Sequence, residues 1–390
     1  MKTLQTISGL SAKSGGPSTC TLDLLNGLYD INAGVYLLTV SSPDILGAGS
    51  PWLKLEPCDY KTPLGISKNI KRALLESDYN LYHANALWSY TTHETCKVAR
   101  AKRKPYVISP HGMLYPTALA IKRWKKIPML NLWFNKDIMQ ASCLHATCQQ
   151  EAKYCRQFGY KGPIAVIPNA VVFPEGVELK GESLGLRDSR GRRQIGFLGR
   201  LHPIKKVENV LYSLSHIDKD TRNKMISFQI MGKYDDQYEQ WLKDEVKRLH
   251  LEDCVEFVGF VSGKEKFVRL SKLSALMVPS AQENFGMIVP EALICGTPVY
   301  ASLGTPWSEL NDCNAGWWKD NSPETITKVI LDILSKSDAE LRAMGANGRR
   351  LMEEKYEQHK VATMMKQLYE WIVVDKMSEE KKPNFVYTNE

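Results

Sequence analysis

Glu283 and Glu291 stand eight residues apart in the segment Ser280-Ala-Gln-Glu283-Asn-Phe-Gly-Met-Ile-Val-Pro-Glu291-Ala-Leu. The apolar run just before it, Ala275–Val278, reads as a strand. Asn284-Phe285-Gly286 reads as a turn, and Pro290 as a residue just inside a short helix that Gly296 and Pro298 stop. Glu283 then falls in a strand-to-helix loop, and Glu291 on or near the first helical turn. Such a loop leaves backbone N–H groups without partners, which suits a phosphate. A carboxylate beside an anion site is unfavourable unless it accepts hydrogen bonds from a polyhydroxylated group. A nucleotide-sugar meets both requirements. The plainer readings are a solvated loop carboxylate for Glu283 and a helix N-terminal acid for Glu291. They explain each glutamate singly, but not the pair with the turn between them.

Two further segments carry charge at predicted strand ends. Gln194-Ile-Gly-Phe-Leu-Gly199 runs into Arg200-Leu-His-Pro-Ile-Lys205-Lys206. Its glycines let the backbone approach a ligand closely. Arg200 and Lys205 fall at the carboxyl end of a strand, where open α/β sheets bind ligands. Two cations there suit a diphosphate whose negative charge grows as it departs. The competing reading is a surface turn with solvated basic residues. His111 follows the apolar run Tyr106–Ser109 and so lies at another strand's carboxyl end; a satisfied core histidine is its competing reading.

The elements that must position these residues alternate along the chain. Strand-like runs are Val35–Val40, Tyr106–Ser109, Ile164–Ile167, Ile195–Leu198, Ser227–Met231, Val255–Phe257, Ala275–Val278 and Val299–Ala301. The opening residues also read as a strand, not as a signal peptide, because they lack a long apolar core. Helix-like runs include Thr19–Leu28, Glu208–Ser215, Tyr238–His250 and Thr325–Leu334, and Val361–Val374 makes an amphipathic helix. This alternation predicts doubly wound α/β sheets. Phe173–Arg193 has no apolar period and reads as an interdomain linker, and residues from Lys376 onward as a polar, frayed tail.

The chain has 390 residues, room for two or three domains. No apolar run approaches a membrane span. The nine cysteines are odd in number and irregular in spacing, and they read as buried, unpaired thiols of a reducing cytoplasm. The net charge of +8 is unevenly placed: residues 1–172 hold 20 Lys/Arg against 10 Asp/Glu, the remainder 31 against 33. The basic excess of the first half calls for an anionic partner or a solvated surface.

Taken in order, Gly199-Arg200-Leu201 with Lys205, the Glu283/Glu291 pair and Gly296-Thr-Pro-Val299 resemble the signature of retaining glycosyltransferase family four (glycosyl transferases group 1). Ser14-Gly15-Gly16-Pro17 resembles its first glycine loop, Ser109-Pro-His111-Gly112 its active-site histidine segment, and Ile167-Pro-Asn169-Ala-Val the end of its first domain. The resemblance covers nearly the whole chain. It implies an α/β GT-B fold, two Rossmann-like doubly wound domains facing a central cleft. Residues 1–172 would form the acceptor domain, completed by a C-terminal helix at 356–374. The linker would run over 173–193, the donor domain over 194–355 and the polar tail over 376–390.

The resemblance also implies roles. Arg200 and Lys205 would hold the donor diphosphate and stabilise it as leaving group. Glu283 would contact donor-sugar hydroxyls with the backbone of Asn284, Phe285, Gly286 and Met287, Glu291 would bind the ribose, and His111 would sit near the sugar. Gly15, Gly16 and Gly199 would allow close approach. Lys206 stands where many members have Gly or Asn, which leaves two lysines as phosphate candidates. Ala170 stands where Gly is common. The leaving group would deprotonate the incoming hydroxyl on the same face, so no enzymic nucleophile, cofactor or metal is expected. Asp235-Asp236 is adjacent, not spaced as a metal motif. The donor is a nucleotide-diphosphate-sugar co-substrate, and the acceptor a glycan or an undecaprenyl-pyrophosphate-linked sugar. The expected setting is cytoplasmic assembly of a bacterial capsule, exopolysaccharide or O-antigen. Two rivals are a nucleotide-sugar epimerase on the same fold and a catalytically silent nucleotide-sugar or membrane-binding module.

Thr117–Phe134 mixes Lys122, Arg123, Lys125 and Lys126 with Trp124, Trp133 and several aliphatics, and Pro128 would end or kink its helix. Basic residues with interfacial aromatics suit the anionic inner leaflet of a membrane; an amphipathic helix packed on the sheet is the alternative. Nucleic acid is not expected, because no recognised module appears.

Overall fold

The computed structural model describes residues 1–11, 16–60, 64–174, 186–233 and 235–388. Ser14 and Gly15 of the first glycine loop lie outside the described residues. The chain forms two compact units. Met1–Val172 and Tyr356–Glu390 make unit 1, and Phe173–Lys355 makes unit 2.

Unit 1 is built on β1 (Thr3–Thr6), β2 (Val35–Val40), β3 (Leu53–Glu56), β4 (Leu81–Asn85), β5 (Tyr106–Ser109), β6 (Cys143–Ala146) and β7 (Ile164–Val166). Unit 2 is built on β8 (Arg193–Leu198), β9 (Ile226–Met231), β10 (Val255–Gly259), β11 (Ala275–Val278), β12 (Val299–Ser302) and β13 (Gly316–Lys319). A last strand, β14 (Val386–Tyr387), returns to unit 1. The sheet orders are β14-β7-β6-β5-β4-β1-β2-β3 and β10-β9-β8-β11-β12-β13. Every pairing is parallel except β14 with β7. Helices cover both faces, so strands such as β5 and β11 are buried along their whole length.

In each sheet the strand order reverses once, between β1 and β4 in unit 1 and between β8 and β11 in unit 2. Ligands of open α/β sheets bind outside the carboxyl ends of the strands at such a reversal. Arg200 follows β8 and Glu283 follows β11, so both fall at the reversal of unit 2.

The last long helix, Gln358–Val373, belongs to unit 1. Its Val361, Met365, Leu368, Tyr369, Trp371 and Ile372 share one buried cluster with Leu24, Leu25 and Leu28 of helix Gly16–Asp30. Gly27 permits this packing: a Cβ there would lie 2.8 Å from Cγ of Gln358 and 3.1 Å from Cβ of Ala362.

Three expectations change. The polar tail is not frayed throughout, because Val386 and Tyr387 extend the sheet at β7, with Phe385 and Val386 buried. The expected linker is partly folded: Leu186 joins the core of unit 2, and Arg187 bridges to Arg193, which opens β8. Of the nine cysteines, none in a disulfide, seven are buried, but Cys58 is exposed and Cys313 half-buried.

Candidate functional site

In unit 2, Gly199 directly follows β8. A Cβ on Gly232 would lie 1.8 Å from the carbonyl oxygen of Gly199, so the backbones of two strand ends touch there and only glycine fits. Arg200 follows and is exposed. A single turn, Pro203–Lys205, places Lys205, while Lys206 adopts a left-handed conformation (φ 53°) and caps helix Val207–Ser215.

The two candidate lysines separate here. Nζ of Lys205 forms a tight ion pair with Oε1 of Glu283, their side chains 16% and 13% exposed. Lys206 turns instead towards Glu208, at 3.4 Å. Ser280 Oγ donates to the same Glu283 oxygen at 2.8 Å. In a site stripped of water such a pair resists separation unless a ligand replaces each partner's hydrogen bonds.

The loop carrying Glu283 is braced from several sides. Its N–H donates to Gly304 O (2.9 Å), and Ala281 N–H donates to Ile204 O (2.8 Å). Trp307 Nε1 donates to Phe285 O (2.6 Å), and the two rings pack edge-on at 5.1 Å. Gly286 takes the left-handed conformation (φ 75°) that the turn requires. Met287 then precedes helix Ile288–Ile294, which places Glu291 in its first turn. Glu291 is paired with Lys266 at 2.7 Å, a partner the sequence did not disclose. Asp235 caps helix Asp236–Arg248 by accepting from Gln237 N and Tyr238 N.

In unit 1, His111 follows β5 with φ 50°. Ala86 (φ 69°) and Trp88 (φ 62°), after β4, are also left-handed. Non-glycine residues in this region store roughly 1–3 kcal/mol of strain each, and such strain clusters at functional sites. His111 Nε2 meets Oδ1 of Asn85 at 3.4 Å. Burial, reinforced by nearby His145, pulls the His111 imidazole down to about 3, so the ring is neutral near pH 7. It can hydrogen-bond a hydroxyl there, but it offers no positive charge. The next residue is fixed by Glu151, a buried carboxylate that accepts from Gly112 N and from the N–H and hydroxyl of Thr147. Gly16 opens helix Gly16–Asp30, and a Cβ there would meet open space. At the same edge lies a cavity of about 500 Å³, lined in part by Ser8, Tyr60, Leu64, Leu87, Trp88 and Met113.

The basic segment forms helices Pro116–Ala120 and Arg123–Met129, joined through left-handed Lys122. Pro128, lacking an N–H, is followed by a widened turn over Leu130–Phe134, and the helix continues as Asn135–Met139. Phe134 anchors it, buried against Trp88, and Asp137 pairs with Arg100 (2.6 Å) and His93 (2.7 Å). No residue of Pro116–Ala120 or Arg123–Met129 is buried. Ile121 (63%), Trp124 (73%) and Leu132 (72%) are exposed. Lys125 lies 4.8 Å over the Trp124 ring, and Lys126 5.5 Å over that of Trp88.

Two parallel sheets, each reversing once and each carrying charged or strained loops at the reversal, define the GT-B glycosyltransferase fold. HepE of Anabaena, solved in complex with UDP, shares it over 95% of this chain and 99% of its own, with a TM-score of 0.72 at 19% identity. Sucrose-phosphate synthase of Thermosynechococcus elongatus shares it over 96% and 100%, with a TM-score of 0.73 at 19% identity. The chain belongs to glycosyltransferase family four: residues 14–172 match the model Glycosyltransferase Family 4, and residues 186–351 the model Glycosyl transferases group 1.

Similar curated proteins include an uncharacterized glycosyltransferase of Methanocaldococcus jannaschii, 26% identical over 207 residues, which are 51% of this chain and 50% of that one. A GDP-mannose-dependent alpha-(1-6)-phosphatidylinositol dimannoside mannosyltransferase of Mycobacterium tuberculosis is 29% identical over 89 residues, 23% of each chain. The chain thus spans about half the length of the first relative and less of the second. No helix among the described residues is long and apolar enough to cross a membrane.

Proposed function

We propose that this protein is a retaining glycosyltransferase that moves a hexose from a nucleoside-diphosphate donor to a hydroxyl of a glycan or lipid-linked acceptor. The Lys205–Glu283 pair carries the reading. It places a cation for a diphosphate and a carboxylate for sugar hydroxyls within one hydrogen bond of each other, at the strand reversal where such folds bind ligands.

On this reading Arg200 and Lys205 balance the charge that develops on the departing diphosphate. Glu283, released from Lys205, accepts from the sugar hydroxyls, and Glu291 accepts from the ribose. Neutral His111 contributes a hydrogen bond and no charge. The departing phosphate takes the proton of the incoming hydroxyl on the same face, so Glu283 and Glu291 place the donor and do no covalent work. Transfer is expected to survive EDTA. HepE is described with UDP and the mycobacterial relative as GDP-mannose-dependent, so uridine and guanosine diphosphate sugars are the first donors to test. A thermal-shift screen finds the donor, because a ligand of the native state raises its melting temperature. Donor consumption is then followed with and without acceptor. An altered sugar nucleotide without acceptor would indicate an epimerase, and binding without turnover a silent module.

The acceptor reading adds a membrane. Ile121, Trp124 and Leu132 are exposed, as are Lys122, Arg123 and Lys125, and no residue of helices Pro116–Ala120 and Arg123–Met129 is buried. This arrangement suits insertion into an anionic bilayer surface better than packing on the sheet. A pyrophosphate-linked lipid acceptor on a cytoplasmic leaflet would account for it.

A further inference from the structure

The core of unit 1 contains a continuous run of polar side chains that ends on His111 and whose other members the proposed mechanism does not use. His145 Nε2 meets Ile167 O at 2.8 Å, and His145 Nδ1 meets Ser109 Oγ at 2.7 Å. Ser109 Oγ meets His83 Nε2 at 2.6 Å, and His83 Nδ1 meets the Tyr369 hydroxyl at 2.6 Å. Gln5 Nε2 donates to that hydroxyl at 3.0 Å, and Asn85 Nδ2 donates to Gln5 Oε1 at 2.9 Å. Asn85 Oδ1 faces His111 Nε2 at 3.4 Å, the longest link. Every member except His111 is buried.

One end fixes the direction of the whole run. The Ile167 carbonyl can only accept, so His145 carries its proton on Nε2 and accepts at Nδ1 from Ser109. Ser109 must then accept from Nε2–H of His83, which leaves His83 Nδ1 to accept from Tyr369. The Tyr369 oxygen accepts from the Gln5 amide, so Gln5 turns its oxygen to Asn85. Asn85 then turns its oxygen to His111. Burial favours the neutral form of all three imidazoles, as this pattern demands.

We propose that Tyr369, on helix Gln358–Val373, is a positioning residue that holds His111 in the Nε2–H tautomer through Gln5 and Asn85. The ring is then set to present Nδ1 as a hydrogen-bond acceptor. The importance of that acceptor for turnover rests on the glycosyltransferase reading; the tautomer assignment does not. Without the tyrosine hydroxyl, the Gln5 amide loses the acceptor that orients it and can reverse. Asn85 would reverse with it and offer N–H to His111, which favours the opposite tautomer.

The test is long-range proton–nitrogen correlation NMR on the full chain labelled with nitrogen-15 histidine, with His111 assigned through His111→Gln. The parent should show His111 as a single Nε2–H tautomer. Tyr369→Phe, which keeps the ring, should convert it to the Nδ1–H form or a mixture. Gln5→Met, which cuts the next link and leaves Tyr369 intact, should do the same. With an active donor, both variants should lose about tenfold in kcat, with little change in the donor KM. A His111 tautomer unchanged in both folded variants would overturn the proposal. A shifted tautomer in a protein that turns over no nucleotide-sugar would uphold it and remove the glycosyltransferase reading instead.

Discussion

The amide of Ala281 donates to the carbonyl oxygen of Ile204 at 2.8 Å. This bond ties the loop after β8 to the loop after β11, so the backbone positions of Lys205 and Glu283 are coupled before their side chains meet. Gly304 extends the same brace, because its carbonyl accepts from Glu283 N–H.

Gly304→Ala should therefore weaken donor binding without touching a charged group. The added Cβ would lie 2.2 Å from the Ala281 carbonyl oxygen, and backbone cannot yield as a side-chain tip can. Overpacking of this kind costs about 1–3 kcal/mol. Calorimetric titration with the nucleotide should show about a tenfold loss of affinity. Unchanged affinity would detach the Glu283 loop from donor binding.

Lys205 and Lys206 should respond very differently to alanine. On the proposed reading, Lys205→Ala leaves Glu283 without its cation and removes a leaving-group contact, so kcat should fall by about 10²–10³. Lys206→Ala removes only a half-exposed contact with Glu208, and kcat should stay within about twofold. Equal losses would assign the phosphate contact to both.

Stability should decline as pH falls below neutrality. His145 is lowered to about 4 and His111 to about 3, chiefly by burial, and His83 is lowered well below its ordinary value. The unfolded chain binds these protons near pH 6.5 and the folded chain does not, so acidification favours unfolding from about pH 6.5 down to the folded values. At pH 5 each buried imidazole should cost about 1–2 kcal/mol relative to pH 7.5. His359, raised by Glu357 and Asp30, acts in the opposite sense and is half-exposed. Urea midpoints measured across this window should fall with pH, and His145→Asn should flatten the slope.

Membrane attachment should need both the cations and the aromatic. The parent should float with vesicles containing anionic lipid. Trp124→Ala with Leu132→Ala should release it at any salt concentration, and Lys122, Arg123, Lys125 and Lys126 changed to Glu should release it most at low salt, where screening is weak. A parent that stays with the soluble fraction would end the membrane reading.

The strands that apolar runs announced were legible almost to the residue, as for Val35–Val40 and Tyr106–Ser109. β4 and β6 were not, because their buried faces carry His83, Asn85 and His145 and so break the apolar pattern. Those polar residues are affordable only because each finds a hydrogen-bond partner far away in sequence, and no local pattern shows that. The charged site followed the same division. Its members and their loops could be read from spacing, but the choice between Lys205 and Lys206, the Lys266 partner of Glu291 and the Glu151 brace of Gly112 depend on three-dimensional contacts.

Unit 1 is interrupted: the chain leaves it at Val172 and re-enters at Tyr356, after the whole of unit 2. During synthesis, residues 1–172 therefore emerge with the Leu25 and Leu28 face bare and the outer edge of β7 unpaired, awaiting Trp371 and β14. Unit 2 is continuous and has no such wait. The unit translated second can be the first to finish folding, and the earlier-made one has most need of a chaperone in the interval.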